Sequence, residues 1–406
     1  MKDFIKKHGD KALVVLALVF LAAAFFRREN VRLPADTPSI VFTQWWESDL
    51  DEDTLKSLAE EFEALHEIKV AINYKTYEDL RRDLFASAET PQGNVNFVGN
   101  ANSVGDVVAL DPLWIPELLE MKIIEERNFT LFSFINVLYY NVNILTNAGF
   151  SRPPKNRSEF LAYARTLAGR RELLSGYPLG VAMGEYSGRG IYDDIFPWIW
   201  AAGVPLVRDG SPVFNTRQVV DGLAYLAELN SERLIAPDAL RVNAARKLEH
   251  FISGEVAFMI APTVYIKRVR ERMGDEAFSI TSVPGPDNYF GEPFLATAGW
   301  AFGVHSQVER KEEARLFAEF LAGKASAFSE QAGAVPGSGA PPARDPLYSK
   351  VWDIAITGDS ARDFTGLPWT RMEPVFRQAL YSLFDSRLTP AGAAAEINNK
   401  IQTLDE

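Results

Sequence analysis

The chain is predicted to be an α/β protein of two lobes joined by crossing segments, with an apolar helix ahead of them. Three observations point there. Strand-like and helix-like runs alternate along most of the 406 residues. The stretch Phe132 to Pro154, FSFINVLYYNVNILTNAGFSRPP, ends one such alternation and begins another, and each is sufficient for a lobe of its own. The length also exceeds what a single core ordinarily organises.

Ahead of the first lobe, Lys2, Lys6, Lys7 and Lys11 precede an uncharged apolar run, Ala12 to Phe26, closed by Arg27 and Arg28. The run is too short for a comfortable span and long for a signal-peptide core, which need about 20 and about 7–15 residues. Ala22-Ala23-Ala24 offers a cleavage site, whereas Phe25, Phe26 and the two arginines suit a helix kept at the membrane surface. The reading taken is an uncleaved tether, with the rest of the chain outside the cytoplasmic membrane. Val31 to Pro38 is then a linker.

Ser39 to Trp45 reads as a buried strand and Leu50 to His66 as a helix with Leu55, Leu58, Phe62 and Leu65 on one face. Lys69 to Thr76 alternates as a second strand, Tyr77 to Ala88 is a helix, and Gly105 to Leu110 is a third strand followed by a helix from Pro112 to Ile124. Such βαβ units make a parallel sheet, whose ligands sit at the carboxyl ends of the strands. In the central stretch, Val137 to Tyr140 is a strand, and Gly149 is the left-handed stop of a short helix. Pro153-Pro154 forbids continuation, and Asn156 with Glu159 forms a capping box for the next helix. Tyr139 to Asn143 is read as the first crossing between lobes.

Helices follow at Ser158 to Gly169, Ile191 to Gly203 and Thr216 to Ser231, the last with a capping box at Asn215 and Gln218. Helix 241–253, strand Val256 to Ala261, helix 263–273 and strand Phe278 to Val283 continue the second lobe. Thr297 to Val304, TAGWAFGV, is the second crossing. Helices at Glu309 to Ala322 and Ala325 to Ala332, a loop at Val335 to Pro342, and helices Glu373 to Phe384 and Pro390 to Leu404 complete the chain. The borders expected are 1–38 for the leader, 39–141 with 302–338 for lobe 1, and 142–301 with 339–406 for lobe 2.

A net charge of −12 excludes a general nucleic-acid binder, which needs a basic face. The absence of cysteine removes disulfides, thiolate metal sites and Cys nucleophiles together. Asp49, Asp51, Asp53 and Glu60 match a calcium loop at some positions, but Thr54 stands where its sharp turn requires glycine. They read better as acidic residues at a helix N-terminus. The histidines, His8, His66, His250 and His305, stand singly, and no phosphate-binding loop occurs, so neither a metal nor a cofactor is expected. Asp193 and Asp194, adjacent on a helix, diverge and do not flank one bond as a hydrolase pair would.

Aromatic residues gather where strands end. Trp45, Trp46 and Glu47 follow the first strand, Asp111 and Trp114 the third; Tyr192 and Trp198 lie in the second lobe, Trp300 and Trp369 near later crossings. Rings flanked by carboxylates suit a sugar, whose C–H face lies on the aromatic while its hydroxyls meet acceptors. Tryptophan is equally at home in a core, so the inference rests on the group.

From Ser39 to Leu404 the chain resembles the carbohydrate-binding family of extracellular solute-binding proteins of ABC importers that includes the maltose-binding protein. The resemblance is carried by INVLYYNVNILTNAGFSRPPKNRSEF (Ile135 to Phe160), FISGEVAFMIAP (Phe251 to Pro262), AGWAFGV (Ala298 to Val304) and EEARLFAEFLA (Glu312 to Ala322), in order. It implies a type II periplasmic binding protein fold with a hinge between lobes, and capture of a carbohydrate for delivery to permease subunits, without catalysis. Carried over by position, the ligand contacts are Trp45, Trp46, Glu47, Asp111, Trp114, Tyr192, Asp193, Trp198, Thr263, Gly299, Trp300, Trp369 and Arg371. The chain departs from the family pattern in several places: Gly105-Asp106 stands for Pro-Asp, residues 96–104 look inserted, and the lipid-anchor cysteine is missing. Thr263 or Val264 stands where the family often has tryptophan. The acidic balance and the few basic cleft candidates, Arg371 and Arg189, favour a neutral sugar over a phosphorylated one. The rival readings are a ligand sensor and a secreted glycan hydrolase.

Overall fold

β1 (Ser39–Gln44) forms because Ile40 and Phe42 both bury completely against helices while the strand hydrogen-bonds on both edges. The computed structural model describes residues 39–46, 50, 52–87, 104–184, 189–291, 293–325, 345–356, 359–361, 364 and 366–404. The apolar run 12–26, Glu47, Asp49, Asp51, the segment 96–103, most of the helix expected at Ala325 to Ala332 and the loop 335–342 lie outside the described residues. Among the described residues no helix is long and apolar enough to cross a membrane.

After β1 come α1 (Glu52–His66), β2 (Lys69–Tyr74), α2 (Tyr77–Ala86), β3 (Val107–Leu110) and α3 (Ile115–Glu120). Leu55, Ala59 and Phe62 of α1 bury at helical spacing, but Leu65, expected on that face, is exposed. β2 and β3 flank β1 in parallel, as the βαβ reading requires. Their carboxyl ends therefore share one rim. The helix after β3 is shorter than expected, because Asp111 first closes a turn by accepting from the Leu113 amide at 2.9 Å.

β4 (Ile124–Asn141) is a single strand of 18 residues, followed by α4 (Val142–Asn147) and α5 (Arg157–Ala168). Gly149 ends α4 at φ +90°, and the Phe150 amide returns to the Leu145 carbonyl. At α5, Asn156 caps the Glu159 amide, but the Glu159 carboxylate turns to the Lys155 amide and Arg152. β5 (Tyr177–Gly180) precedes a π-helix, Ile191–Ile195, that runs into α6 (Phe196–Trp200). The hairpin β6 (Val207–Arg208) and β7 (Ser211–Pro212) leads to α7 (Arg217–Ser231), where Thr216, and not the expected Asn215, supplies the cap to Val219.

α8 (Ala244–Ile252), β8 (Val256–Pro262), a 3-10 turn at Thr263–Tyr265, α9 (Ile266–Met273) and β9 (Phe278–Thr281) complete the second alternation. β10 (Phe294–His305) returns antiparallel to β4 and is followed by α10 (Lys311–Gly323). α11 (Pro346–Ile356) and β11 (Asp359–Ala361), where no element was expected, precede α12 (Trp369–Phe384) and α13 (Pro390–Gln402). The last two helices close over the second alternation: Tyr381 donates to the carbonyl of Met183 or Leu240, at 2.8 and 2.9 Å, and Asn230 donates to that of Phe384.

One nine-stranded sheet, in the order β2-β1-β3-β10-β4-β8-β5 with β9 on β4 and β11 on β10, runs through both lobes. β3 pairs with β10 only from Ala301 onward, and β8 pairs with β4 only from Asn136 onward. Between them the described sheet narrows to two strands, Phe132 to Ile135 against Thr297 to Trp300. A bulge marks the spot: Trp300 faces Phe132 and Ala301 faces Thr130, leaving Leu131 as an extra residue that bends the strand. The first crossing was expected later, at Tyr139 to Asn143. Of those residues, Tyr139 to Asn141 lie where the sheet is broad, Tyr139 pairing with both Met259 and Ile280, and Val142 and Asn143 open α4; the apolar run Val137 to Tyr140 marks a strand covered on both faces.

His305 ends β10 and is fully buried. Ser87 Oγ donates to the Leu84 carbonyl and faces His305 Nε2 at 3.2 Å, while the Gln307 amide points at His305 Nδ1. This set fits a neutral ring with its proton on Nε2. Burial lowers the His305 imidazole to about 4. An unfolded histidine takes a proton near 6.5, so the unfolded state binds more protons between those values and stability falls as pH drops from about 6.5 to about 4, by about 3 kcal/mol when complete. Thermal melts at pH 7 and pH 4.5 are expected to show a smaller loss in His305→Gln than in the parent. Equal losses would remove His305 as the cause.

Candidate functional site

The carboxyl ends of β1, β2 and β3 open on a cleft of about 840 Å³. Trp45, Tyr74, Tyr77 and Asp111 line its first-lobe wall. Arg189, Asp193, Asn243, Val264 and Tyr265 line the second, and Phe134, Gly299 and Trp300 form the floor where the sheet narrows. Three strand ends thus deliver side chains to one rim, as a parallel sheet dictates.

Arg189 spans this cleft. Its Nη1 reaches Asp111 Oδ1 and Oδ2 at 2.7 and 2.8 Å, and its Nε and Nη2 fork onto Asp193 at 3.1 and 3.2 Å. A guanidinium on the second lobe is therefore bound by a carboxylate of the first. Asp111, 2% exposed, also accepts from Tyr77 Oη at 2.8 Å and from the Leu113 amide, which makes four hydrogen bonds in all. Its acceptor sites are filled, and no place remains for a ligand hydroxyl while Arg189 is in position. Asp193 accepts from Arg189 and from Asn136 Nδ2 at 2.7 Å, and stays partly open to the cleft.

Electrostatics follow from this crowding. Burial works against the charge of Arg189, but Asp111 and Asp193 outweigh it and hold the guanidinium above its ordinary range. Burial, then the Asp111 carboxylate, pushes the Tyr77 phenol well above its usual value, so Tyr77 stays a donor. The Arg189 plane also lies 4.9 Å from the Tyr192 ring centre.

The expected site residues divide sharply. Trp45 lines the cleft half-buried, its ring edge-on to Tyr77 at 5.3 Å, and Asp111, Asp193, Gly299 and Trp300 line it too. Trp46 does not: it is fully buried, stacked on Trp300 at 4.9 Å, because consecutive residues leave a strand end in opposite directions. Trp114 is buried behind Trp45, with the ring centres 5.4 Å apart. Tyr192 lies beneath Arg189 among Trp200 and Trp369, and Trp369 packs on Phe196, Phe364 and Phe376 in the second-lobe core. Trp198 is enclosed by Phe160 and Tyr225. Thr263 is wholly buried, and its neighbour Val264 takes the place on the wall.

Arg371 is elsewhere, paired at the surface with Glu120 at 2.6 Å and facing Glu117. There, buried Glu117 of α3 accepts from the Thr370 amide at 2.8 Å, a second tie between the lobes at the start of α12. Glu47 lies outside the described residues. Tyr74, Tyr77, Asn243 and Tyr265 were not foreseen. Tyr74 ends β2 and Tyr77 opens α2 just beyond it, so the rule of strand ends already covered that pair, whereas nothing local marks the second pair.

Residues 48–328 match the family of bacterial extracellular solute-binding proteins, and the chain belongs to that family. A probable ABC transporter-binding protein of Deinococcus radiodurans is 23% identical over 293 residues, 67% of each chain. A solute-binding protein of an ABC transporter from Thermotoga lettingae, bound with α-D-tagatose, superposes with a TM-score of 0.72 at 16% identity, over 91% of this chain and 100% of that one. The GacH receptor of Streptomyces glaucescens, solved unliganded and with acarbose, gives 0.72 at 15% identity over 91% and 98%. These structures share the two-lobed fold.

Proposed function

We propose that the cleft captures a carbohydrate between the lobes and presents it to the permease of an ABC importer, from the outer side of the cytoplasmic membrane. One observation carries this: aromatic rings and hydrogen-bonding groups of both lobes face a single cleft of about 840 Å³. That volume lies within the roughly 300–1,000 Å³ usual for small-molecule sites. Trp45 supplies a flat apolar face, and Asp193, Asn243 and Lys75 supply polar groups around it. Proteins of the same fold bound with tagatose, acarbose and maltose support the choice of a sugar.

The hinge is placed at the two-stranded neck. This keeps the expected border near residue 301 and moves the other from 141 to 132–135, where the bulge weakens the strand's stiffness. A ligand touching both walls stabilises the shut form over the open one. The apolar run 12–26 serves in this reading as the tether.

A thermal-shift screen of mono- and oligosaccharides tests the proposal. One of them is expected to raise the melting temperature with concentration, the stabilisation reaching about 2.7 kcal/mol at a hundredfold excess over Kd. If sugars leave the transition unmoved while organic anions or peptides raise it, the carbohydrate reading fails.

A further inference from the structure

The second wall of the cleft comes from three separate places in the chain: the π-helix Ile191–Ile195 with Arg189 just ahead of it, the start of α8, and the turn after β8. Beneath the wall lies an ion pair that joins the first two and bonds to β8, the strand that leads into the third. Asp194, next to cleft-facing Asp193 but turned inward, binds Lys247 Nζ, and its other oxygen accepts from the Ala182 amide at 2.8 Å. Lys247, on the first turns of α8, also donates to the Ile260 carbonyl of β8 at 2.6 Å. The two side chains are 1% and 2% exposed.

Stability does not explain such a pair. Taking both charges out of water costs about what their attraction returns, and apolar replacements of similar volume are often neutral or better. What the pair does supply is geometry. The wider π turn sends Asp193 to the cleft and Asp194 to the core, and Asp194 then fixes where that turn sits relative to α8 and β8. Asn243 to Ala245 open α8, and Val264 and Tyr265 follow β8.

We propose that Asp194 and Lys247 are positioning residues for solute binding, a buried cross-tie that holds three wall segments in one frame and so sets affinity without touching the ligand. The affinity part rests on the cleft being the binding site; the cross-tie itself does not.

The test is the double variant Asp194→Asn with Lys247→Met, followed by hydrogen exchange without ligand and then by titration with maltotriose as probe. The double variant is expected to melt near the parent. Exchange is expected to rise about tenfold at residues 189–193, 243–245 and 263–265, while β1 and β3 stay unchanged. Maltotriose affinity is expected to fall about tenfold. Wall exchange equal to the parent, or a uniform rise across both lobes, overturns the cross-tie. Should the double variant fail to fold, Asp194→Asn with Lys247→Gln, which keeps an acceptor for Ala182 and leaves no buried charge unpaired, is read the same way. If the parent does not bind maltotriose, the choice of sugar is at fault, and the exchange result still decides the pair.

Discussion

Replacing Arg189 with methionine is expected to lower the melting temperature and to raise the radius of gyration of the unliganded protein. Asp111 is almost inaccessible, and two of its four hydrogen bonds come from Arg189. Methionine matches the bulk of arginine but leaves that carboxylate without a counter-charge, and removing one partner of a buried pair costs about 3–5 kcal/mol. The protein has one way to reduce this cost short of unfolding. Parting the lobes lets water reach Asp111, so part of the penalty reappears as opening. Glu117 and Thr370 still tie the lobes at α12, which limits the motion to a swing. Scattering and thermal melting together read both parts. An unchanged radius and an unchanged melting temperature would show that the bridge contributes nothing.

Trp45→Ala and Trp369→Ala are expected to fail in opposite ways. Trp45 offers a half-open ring to the cleft, and truncation removes a platform worth about 2–3 kcal/mol of binding, or about 30- to 150-fold in Kd, by the area it covers. Its melting temperature is expected to move little. Trp369 is fully enclosed by Tyr192, Phe196, Phe364 and Phe376, so its loss opens a cavity costing about 3–5 kcal/mol of stability. Calorimetric titration and melting of each variant separate the two. A stable Trp369→Ala protein that has lost sugar binding would restore Trp369 to the site.

The contrast between these tryptophans shows what a sequence conveys and what it withholds. Strand and helix order was readable because apolar spacing is set by backbone period, which is why β1, β2, β3, β8 and β10 lie near where they were expected. Strand ends were readable for the same reason, and with them Trp45 and Asp111. Composition says that an indole is present but not which side of a strand end it leaves by, so Trp46 looked as exposed as Trp45. Past Ile124, the stretch Glu125-Glu126-Arg127-Asn128 of β4 carries no apolar signature, because Glu125 and Arg127 pair with Arg315 and Glu319 of α10. The neck depends on one bulged residue, Leu131, which no periodicity marks. Arg189 joins carboxylates from both lobes, and that meeting exists only once the chain is folded.

A crystal structure of the protein with the saccharide that gives the largest thermal shift tests the central claim most directly. A sugar ring is expected to lie on Trp45, with hydrogen bonds to Asp193 or Asn243 and contact with Tyr265, so that both lobes hold one molecule. A sugar bound on an outer face, or touching a single lobe while the cleft stays filled by water, would contradict it.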